Sequence, residues 1–330
     1  MISHARMEII NVSKFCRPSA DDNHLLHQRE VMIEEFAYEW FNAKPSEAVP
    51  LDWSYLPIWW TNFDICSRNQ KRWLKKLFGI GSRRAKKLNR VVDRRVGSSR
   101  FPVFTVAQHD DGIHIHKALS PRDDILVFSA GGTGDIPIAL LCERRPYVQR
   151  ERDLLMSFKG AIRHPVHDYP FRLSIEEKLG KLPGIKIFDT YSCTSNGVEG
   201  IDFIELMQRS EFSLCPRGFG ATSFRLFESI TQSSIPIYVH DGKPWLPYAD
   251  EIDWSKFCVL THFRDLGNLH SRILSISPQA REDMRRVGQE VLGTHFSMEG
   301  TMRYISRKLG EYSGRSVAEV RQGLSQPTFK

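Results

Sequence analysis

The stretch from Phe212 to Val259 predicts a strand–loop–helix–strand unit and constrains the fold more than any other segment. An apolar run ends at Pro216, and the loop Arg217–Gly220 that follows has no room for a helix. Apolar residues then recur at helical spacing from Phe224 to about Ser233, and a β-branched run covers Ile235–Val239. Because strands joined through a helix pair in parallel, this unit predicts an α/β fold with a parallel sheet.

Polar residues at the start of the predicted helix indicate an anion-binding site. Thr222 and Ser223 are good N-cap residues, Arg225 lies in the first turn, and Glu228 follows three residues later on the same face. Arg217 lies in the preceding loop, at the carboxyl end of a strand, where ligands bind in open α/β sheets. Since a helix N-terminus and two arginines suit phosphate, we interpret the set as a nucleotide or nucleotide-sugar site. The alternative is an ordinary surface pair between Arg225 and Glu228.

The same stretch resembles the exostosin-like glycosyltransferases, glycosyltransferase family 47. That family carries F-x-L-C-P-R-G, then S-x-R-L-x-E-A-I, a short x-x-P-V-x strand, an acid, L-P-F and D-W-x-x-F. The matching residues here are Phe212, Leu214, Cys215, Pro216, Arg217, Gly218, Ser223, Arg225, Leu226, Glu228, Ile230, Pro236, Asp241, Leu246, Pro247, Asp253, Trp254 and Phe257. Outside this stretch the resemblance is weaker.

The resemblance implies an α/β protein with two Rossmann-like domains facing a cleft, the glycosyltransferase B type. We predict an acceptor-side domain in residues 1–150 and a nucleotide-sugar donor domain in residues 151–330, whose last helix is expected to cross back to the first domain. In the second domain, Arg163 lies in the loop after a predicted strand that ends at Gly160, and Arg172 lies near the next helix. Either arginine could reach the donor diphosphate. The predicted donor-site residues are Arg217, Gly218, Ser223, Arg225, Glu228, Arg163, Arg172 and Asp241.

A second polar loop, after a strand predicted over residues 101–107, is a candidate for the catalytic base. The side chains in and after this loop are those of His109, Asp110, Asp111, His114 and His116. A metal site from the three histidines and a carboxylate is one reading, although the spacing matches no known ligand pattern. A polar loop without a catalytic role is another. The resembling family has a comparable strand followed by His-Asp, which favours a general base, with Asp110 ahead of Asp111 and His109.

The glycine-rich segment 129–135 follows a predicted strand over residues 125–128. It lacks the lysine of a P-loop and the full G-x-G-x-x-G spacing. We therefore interpret its glycines as a flexible turn.

Residues 68–95 form the most basic segment, with twelve lysines and arginines opposed only by Asp93. Tryptophan and leucine residues are interspersed at near-helical spacing. An amphipathic helix of this kind can lie on anionic lipid, which would suit a lipid-linked acceptor and gives a possible peripheral membrane contact. A solvated helix pair is the simpler reading. Nucleic acid is the least favoured partner because no nucleic-acid-binding module is recognisable.

The bulk properties are those of a soluble globular protein with an acidic partner. Hydrophobic residues make up 41% and charged residues 26% of the chain, and the net charge is +7. Six scattered cysteines without a C-x-x-C pair argue against a zinc ribbon or a disulfide framework. No eighteen-residue apolar run and no secretory signal are present. Since eukaryotic exostosins are membrane-anchored, we expect a cytoplasmic protein, membrane-associated at most through residues 68–95, or a chain lacking its anchor.

The mechanism that we expect is an inverting transfer. Arg217 and Arg225 would neutralise the leaving diphosphate, Glu228 would hold the ribose hydroxyls, and Asp110 would deprotonate the acceptor hydroxyl. The expected donor is a UDP-sugar and the expected acceptor an oligosaccharide or glycan. The sequence contains no Asp-x-Asp triplet, which metal-dependent A-type transferases use, so we expect no obligatory metal or other cofactor.

Three competing functions follow from other features. A thiol nucleophile at Cys215 would need an arginine six positions later, where Ala221 stands. A non-catalytic nucleotide-sugar or carbohydrate-binding protein of the same fold would bind without turnover. A membrane or nucleic-acid binder would act through residues 68–95, and its affinity would fall steeply with salt.

Overall fold

The computed structural model describes residues 7–18, 32–43, 52–69, 80–115, 122–141, 144–163, 170–190 and 202–324. The chain divides into two compact units. Unit 1 comprises Met1–Glu143 and Ser297–Lys330, and unit 2 comprises Arg144–Phe296. Each unit contains a parallel sheet, so the predicted α/β class is confirmed. The acceptor and donor roles of the two units stay predictions.

The elements are numbered along the chain. The strands of unit 1 are β1 (Glu8–Ile9), β2 (Ser54–Tyr55), β3 (Val103–Ala107), β4 (Ile125–Ser129) and β5 (Ile136–Pro137). The strands of unit 2 are β6 (Leu154–Gly160), β7 (Ile185–Asp189), β8 (Ser210–Pro216), β9 (Ile235–His240) and β10 (Val259–His262). The described helices are α1 (Ile33–Ala43), α2 (Trp60–Asn69), α3 (Ile80–Gly97), α4 (Pro170–Leu179), α5 (Phe203–Gln208), α6 (Phe224–Thr231), α7 (Leu266–Leu274), α8 (Pro278–Thr294), α9 (Met298–Glu311) and α10 (Val317–Gly323).

The sheet of unit 1 follows chain order, β1-β2-β3-β4-β5, and each neighbouring pair is parallel. β3 and β4 are buried along their whole length because both of their faces are covered, as in parallel sheets generally. Val103 and Ile125 from these strands pack with Leu88 and Val92 of α3 in one core cluster.

The sheet of unit 2 has the order β7-β6-β8-β9-β10, and its neighbours are parallel throughout. Counted from the first strand of the unit, this is the doubly wound order 2-1-3-4-5. The direction of winding reverses between β6 and β8, and such a switch point is where ligands bind in open α/β sheets.

The strand–loop–helix–strand unit predicted from the sequence is confirmed as β8, α6 and β9. Leu214 and Ile237, at paired positions on β8 and β9, are completely buried. α6 begins after Ser223, whose hydroxyl oxygen accepts a hydrogen bond from the backbone N–H of Arg225, so of the two predicted N-cap residues it is Ser223 that caps the helix. The helix ends two residues before Ser233, which adopts a left-handed backbone with φ of 56°.

α3 carries much of the basic segment, and its apolar side is buried within unit 1. Ala85, Leu88, Val92 and Val96 are buried, whereas the lysines and arginines on the other side are mostly exposed. The face that would enter a lipid surface therefore packs in the core of unit 1. Residues 70–79 of the basic segment lie outside the described residues. Within the part of the chain that the structure describes, none of the helices combines the length and apolar character needed to span a bilayer.

Candidate functional site

Two loops meet at the switch point of unit 2. The loop Ala161–Arg163 follows β6, and the loop Arg217–Gly220, here called the glycine loop, follows β8. Because β6 and β8 are parallel neighbours, both loops leave the same edge of the sheet, and α6 begins just after the glycine loop. This arrangement brings backbone amides, a helix N-terminus and arginine side chains to one place.

The glycine loop is closed by backbone hydrogen bonds. The N–H of Gly218 donates to the carbonyl of Thr222 over 2.9 Å, and the N–H of Arg217 donates to the carbonyl of Val239 over 3.2 Å. The buried hydroxyl of Tyr238 donates to the carbonyl of Ala221. These bonds fix the loop against β9, so the approach to the N-terminus of α6 has a defined shape.

Most N–H donors of Arg217 bond to neighbouring protein atoms. Its Nε and Nη2 each lie 2.6 Å from a carboxylate oxygen of Asp241, and this pairing lowers the pKa of Asp241. Its Nη1 donates to the carbonyls of Gly218 and Phe219 over 3.1 and 3.2 Å. Arg217 therefore holds the glycine loop while placing a partly exposed, charge-balanced guanidinium beside the site.

Arg225 has more of its hydrogen-bonding capacity left. Its Nε lies 3.1 Å from Oε2 of Glu228, so the ion pair that the sequence offered as an alternative does form. Its guanidinium carbon lies 5.0 Å from the ring centre of Phe203 and 6.0 Å from that of Phe158. No described residue accepts a hydrogen bond from its Nη1 or Nη2. The two terminal nitrogens of Arg225 can therefore still donate hydrogen bonds to a ligand.

Arg163 and Arg172 both lie at the switch point, but their guanidinium groups bind protein atoms. Nη1 of Arg163 lies 3.2 Å from Asp189, and Nη2 pairs with Glu176, which raises the pKa of Arg163. Arg172 donates to two backbone carbonyls, those of Ala161 and Arg217. Neither side chain is presented as an unengaged phosphate ligand.

In unit 1, the residues after β3 are anchored by a buried carboxylate from α1. The N–H of Gln108 donates to Oε1 of Glu34 over 2.8 Å, and Thr61 at the start of α2 donates to the same carboxylate from its N–H and its hydroxyl. Glu34 is completely buried, and burial raises its pKa to about 7. The start of the candidate base loop is thus fixed to two helices.

His109 is engaged through both ring nitrogens. Nε2 lies 3.3 Å from Oδ2 of the buried Asp64, and Nδ1 accepts the backbone N–H of Asp111 over 3.1 Å. Burial lowers the pKa of His109, but the hydrogen bond and charge of Asp64 outweigh this effect and raise it overall. Because Nδ1 is an acceptor, Nε2 carries the proton in the neutral ring. His109 is therefore suited to holding the loop, whereas the carboxylate of Asp111 is 65% exposed and that of Asp110 is on a half-buried residue.

Glycines in and opposite this loop allow a close approach of two backbones. A Cβ on Gly131 would lie 2.2 Å from the carbonyl oxygen of His109, and a Cβ on Gly112, which has φ of 59°, would lie 2.2 Å from that of Thr133. The interpretation of Gly131 as part of a flexible turn is therefore corrected. It is a packing position that brings the loops after β3 and β4 together.

The described residues support neither a thiol nucleophile at Cys215 nor a metal site around His109. Cys215 is buried, and burial raises the pKa of its thiol to about 12, so it is not a nucleophile at neutral pH. Among the described residues, no three His, Cys, Asp or Glu side chains form a group that could hold a metal ion. His116, one of the histidines of the metal reading, lies outside the described residues.

Sequence reasoning missed Glu34, Asp64 and Tyr238. Each is a buried polar side chain whose partner lies far away in the sequence. Glu34 stands in a helix with an otherwise ordinary polar pattern, and Asp64 lies amid mixed residues of α2. Nothing local distinguishes them from solvent-facing acids, so only the fold reveals their role.

Comparison with known proteins places these residues in context. The family model described as the Exostosin GT47 domain matches residues 100–276. A "Probable glycosyltransferase" of Arabidopsis thaliana is 30% identical over 80 residues, covering 24% of this chain and 15% of that protein. A "Probable glucuronosyltransferase" of Oryza sativa subsp. japonica is 39% identical over 74 residues, covering 22% of this chain and 17% of that protein. The matched segments are thus a small part of these relatives' length.

A solved structure of WaaG, described as a glycosyltransferase involved in lipopolysaccharide biosynthesis, aligns with 87% of this chain and 85% of its own. The sequence identity is 13% and the TM-score 0.36.

Proposed function

Because the chain belongs to the exostosin GT47 domain family of glycosyltransferases, we propose that it transfers a sugar from a UDP-sugar to a hydroxyl of a glycan acceptor, with inversion at the anomeric carbon. The observation that carries the proposal is the switch point of unit 2. There the N-terminus of α6, the closed glycine loop and the terminal N–H groups of Arg225 come together. The choice of uridine rests on the family resemblance.

The donor diphosphate would lie at the N-terminus of α6. The positive end of the helix dipole favours an anion, and Arg225 adds a bidentate donor in the first turn. Glu228, held by Nε of Arg225, would accept hydrogen bonds from ribose hydroxyls. Arg217, Gly218 and Ser223 would contribute the shape of the loop and the helix cap. Of the remaining predicted donor-site residues, Asp241 and Arg163 would act through the ion pairs already described.

The acceptor would be activated by a carboxylate of unit 1. In this step Asp110, or after it Asp111, removes the proton of the acceptor hydroxyl as its oxygen bonds to the anomeric carbon. The bond between that carbon and the diphosphate oxygen breaks at the same time, and UDP leaves with the electron pair. A single in-line displacement of this kind inverts the configuration. His109 would hold the loop that carries both carboxylates.

We further propose that no metal is required, since the terminal N–H groups of Arg225 and the positive end of the α6 dipole can stabilise the leaving diphosphate. EDTA should leave turnover unchanged, and added Mn²⁺ should not increase it. Loss of turnover in EDTA with recovery in Mn²⁺ would make this part of the proposal wrong.

Donor hydrolysis and transfer assays separate the enzyme from a non-catalytic binder of the same fold. The chain is incubated with UDP-sugars that differ in the sugar, with and without a panel of oligosaccharides, and UDP release is followed. We expect one UDP-sugar to yield UDP, faster with a suitable acceptor. Tight binding without UDP release under any of these conditions would favour the binding protein.

A further inference from the structure

The guanidinium of Arg172 joins the two loops at the switch point. From α4, its Nη1 donates to the carbonyl of Ala161 over 2.6 Å, in the loop after β6. Its Nη2 donates to the carbonyl of Arg217 over 2.7 Å, in the first residue of the glycine loop. One half-buried side chain thus ties together a helix and both loops of the candidate donor site.

The second of these bonds fixes a whole peptide unit. The carbonyl of Arg217 and the N–H of Gly218 belong to the same planar trans peptide and point in opposite directions. Arg172 holds the carbonyl end, and the carbonyl of Thr222 holds the N–H end over 2.9 Å. The orientation of the first peptide of the glycine loop is therefore fixed at both its carbonyl and its N–H. This fixes where Arg217 and the start of α6 lie relative to the loop after β6.

We infer that Arg172 is a positioning residue for donor binding, one that sets the spacing between the loop after β6 and the glycine loop and is not itself a phosphate ligand. This inference rests on the proposed function, because it assumes that the donor diphosphate binds between these loops. The planar fork of arginine places its two terminal nitrogens at a fixed spacing that serves both carbonyls at once. A lysine keeps the charge, but its three N–H donors share one nitrogen atom and do not reproduce that spacing.

Arg152 provides a matched control at the opposite edge of the same sheet. It precedes β6, and its guanidinium donates to the carbonyls of Gln208 and Ser210 over 3.2 and 2.5 Å and to that of Ser233 over 2.6 Å. It therefore makes the same kind of bond as Arg172 but at the amino ends of the strands, away from the switch-point loops.

The experiment compares R172K and R172Q with R152K and R152Q in the full chain. UDP is the probe, its dissociation constant is measured by calorimetry, and melting temperatures are recorded in parallel. We expect R172Q and R172K each to weaken UDP binding at least tenfold, while R152Q and R152K change it less than twofold even where their melting temperature falls as much. A phosphate-ligand role predicts instead that R172K binds UDP like the wild type, and that result would overturn the inference.

Amide hydrogen exchange tests, without any ligand, whether Arg172 holds the glycine loop in place. Peptides that contain residues 217–222 should exchange faster in both Arg172 variants and at the wild-type rate in both Arg152 variants. Equal exchange in all four variants and the wild type would also overturn the inference. If the wild type itself binds no UDP while the exchange pattern is as expected, the positioning role of Arg172 is supported and the proposed UDP-sugar donor is wrong.

Discussion

Arg217 and Asp241 form a two-pronged ion pair, with Nε and Nη2 of the arginine each 2.6 Å from a carboxylate oxygen. The pair links the ends of two neighbouring strands, since Arg217 follows β8 and Asp241 follows β9. Because Nη1 bonds to loop carbonyls as well, the arginine is a structural centre of the glycine loop. At the candidate donor site Arg217 is thus balanced by Asp241, just as Arg225 is paired with Glu228.

Replacing Asp241 by asparagine should make stability less dependent on acidic pH. Arg217 lowers the pKa of Asp241 below its ordinary value of 3.8, so the pair stabilises the fold above that pH and loses its effect as pH falls through the lowered pKa. We expect D241N to be less stable than the wild type by about 1 kcal/mol at pH 7, with a smaller difference at pH 3. Urea unfolding at both pH values measures this, with D123N, an exposed acid in unit 1, as control. A difference of the same size at both pH values would show that the pair contributes no charge effect.

Replacing Arg225 by alanine should weaken nucleotide binding more than it weakens the fold. Loss of a charge-assisted, bidentate contact costs about 1.5–3 kcal/mol, which is at least a tenfold rise in the dissociation constant of UDP. The control is R286A on α8, an arginine 60% exposed whose partners are Asp283 and Glu290. Calorimetric titration should show normal UDP binding for R286A. Normal binding by R225A as well would remove Arg225 from the donor site.

Replacing Asp110 by asparagine should slow transfer strongly while leaving UDP binding intact. The proposed base acts on the acceptor and belongs to unit 1, whereas the proposed donor site belongs to unit 2. We expect a fall in the rate of transfer of about 10²-fold or more, with a smaller loss in D111N and an unchanged rate in D123N. If D111N loses more activity than D110N, Asp111 and not Asp110 is the base. Full activity in both variants would contradict a base in this loop.

Glu34 should make the fold less stable as pH rises towards neutrality. Its pKa is about 7 in the folded protein against an ordinary value of 4.5, so its protonated form stabilises the fold below pH 4.5 and this contribution is lost as pH rises to about 7. E34Q should therefore gain stability relative to the wild type between pH 5 and pH 8, by roughly 3 kcal/mol at most. Melting temperatures across that range test this, and E39Q, on the exposed side of the same helix, should follow the wild type. A constant difference between E34Q and the wild type would contradict the raised pKa.

The β8–α6–β9 part of unit 2 could be predicted because its signals are local. Ser223 caps the helix that the apolar spacing predicts, and β8 and β9 extend the predicted strands by only one or two residues. The positions of Arg217 and Arg225 follow from that unit alone. Their partners were only partly visible, because Asp241 pairs with Arg217 across 24 residues of sequence.

The base loop shows why the rest could not be predicted. The strand and the polar residues after it are evident from the sequence, but the choice among His109, Asp110 and Asp111 depends on which groups are already engaged. Asp64 and Glu34 decide this through contacts that join separate helices to the loop. Arg172 illustrates the same limit, since a sequence suggests a cation near the phosphate but not that its donors are taken by backbone carbonyls.

The most direct test of the central claim is a thermal-shift measurement with UDP and UDP-sugars on the wild type and R225A. A ligand at a hundred times its dissociation constant stabilises the fold by about 2.7 kcal/mol, which a melting curve resolves. We predict that UDP and at least one UDP-sugar raise the melting temperature of the wild type, with no requirement for metal, and that R225A loses the shift. An unchanged melting temperature of the wild type with every one of these ligands, with or without Mn²⁺, would contradict a UDP-sugar site in unit 2.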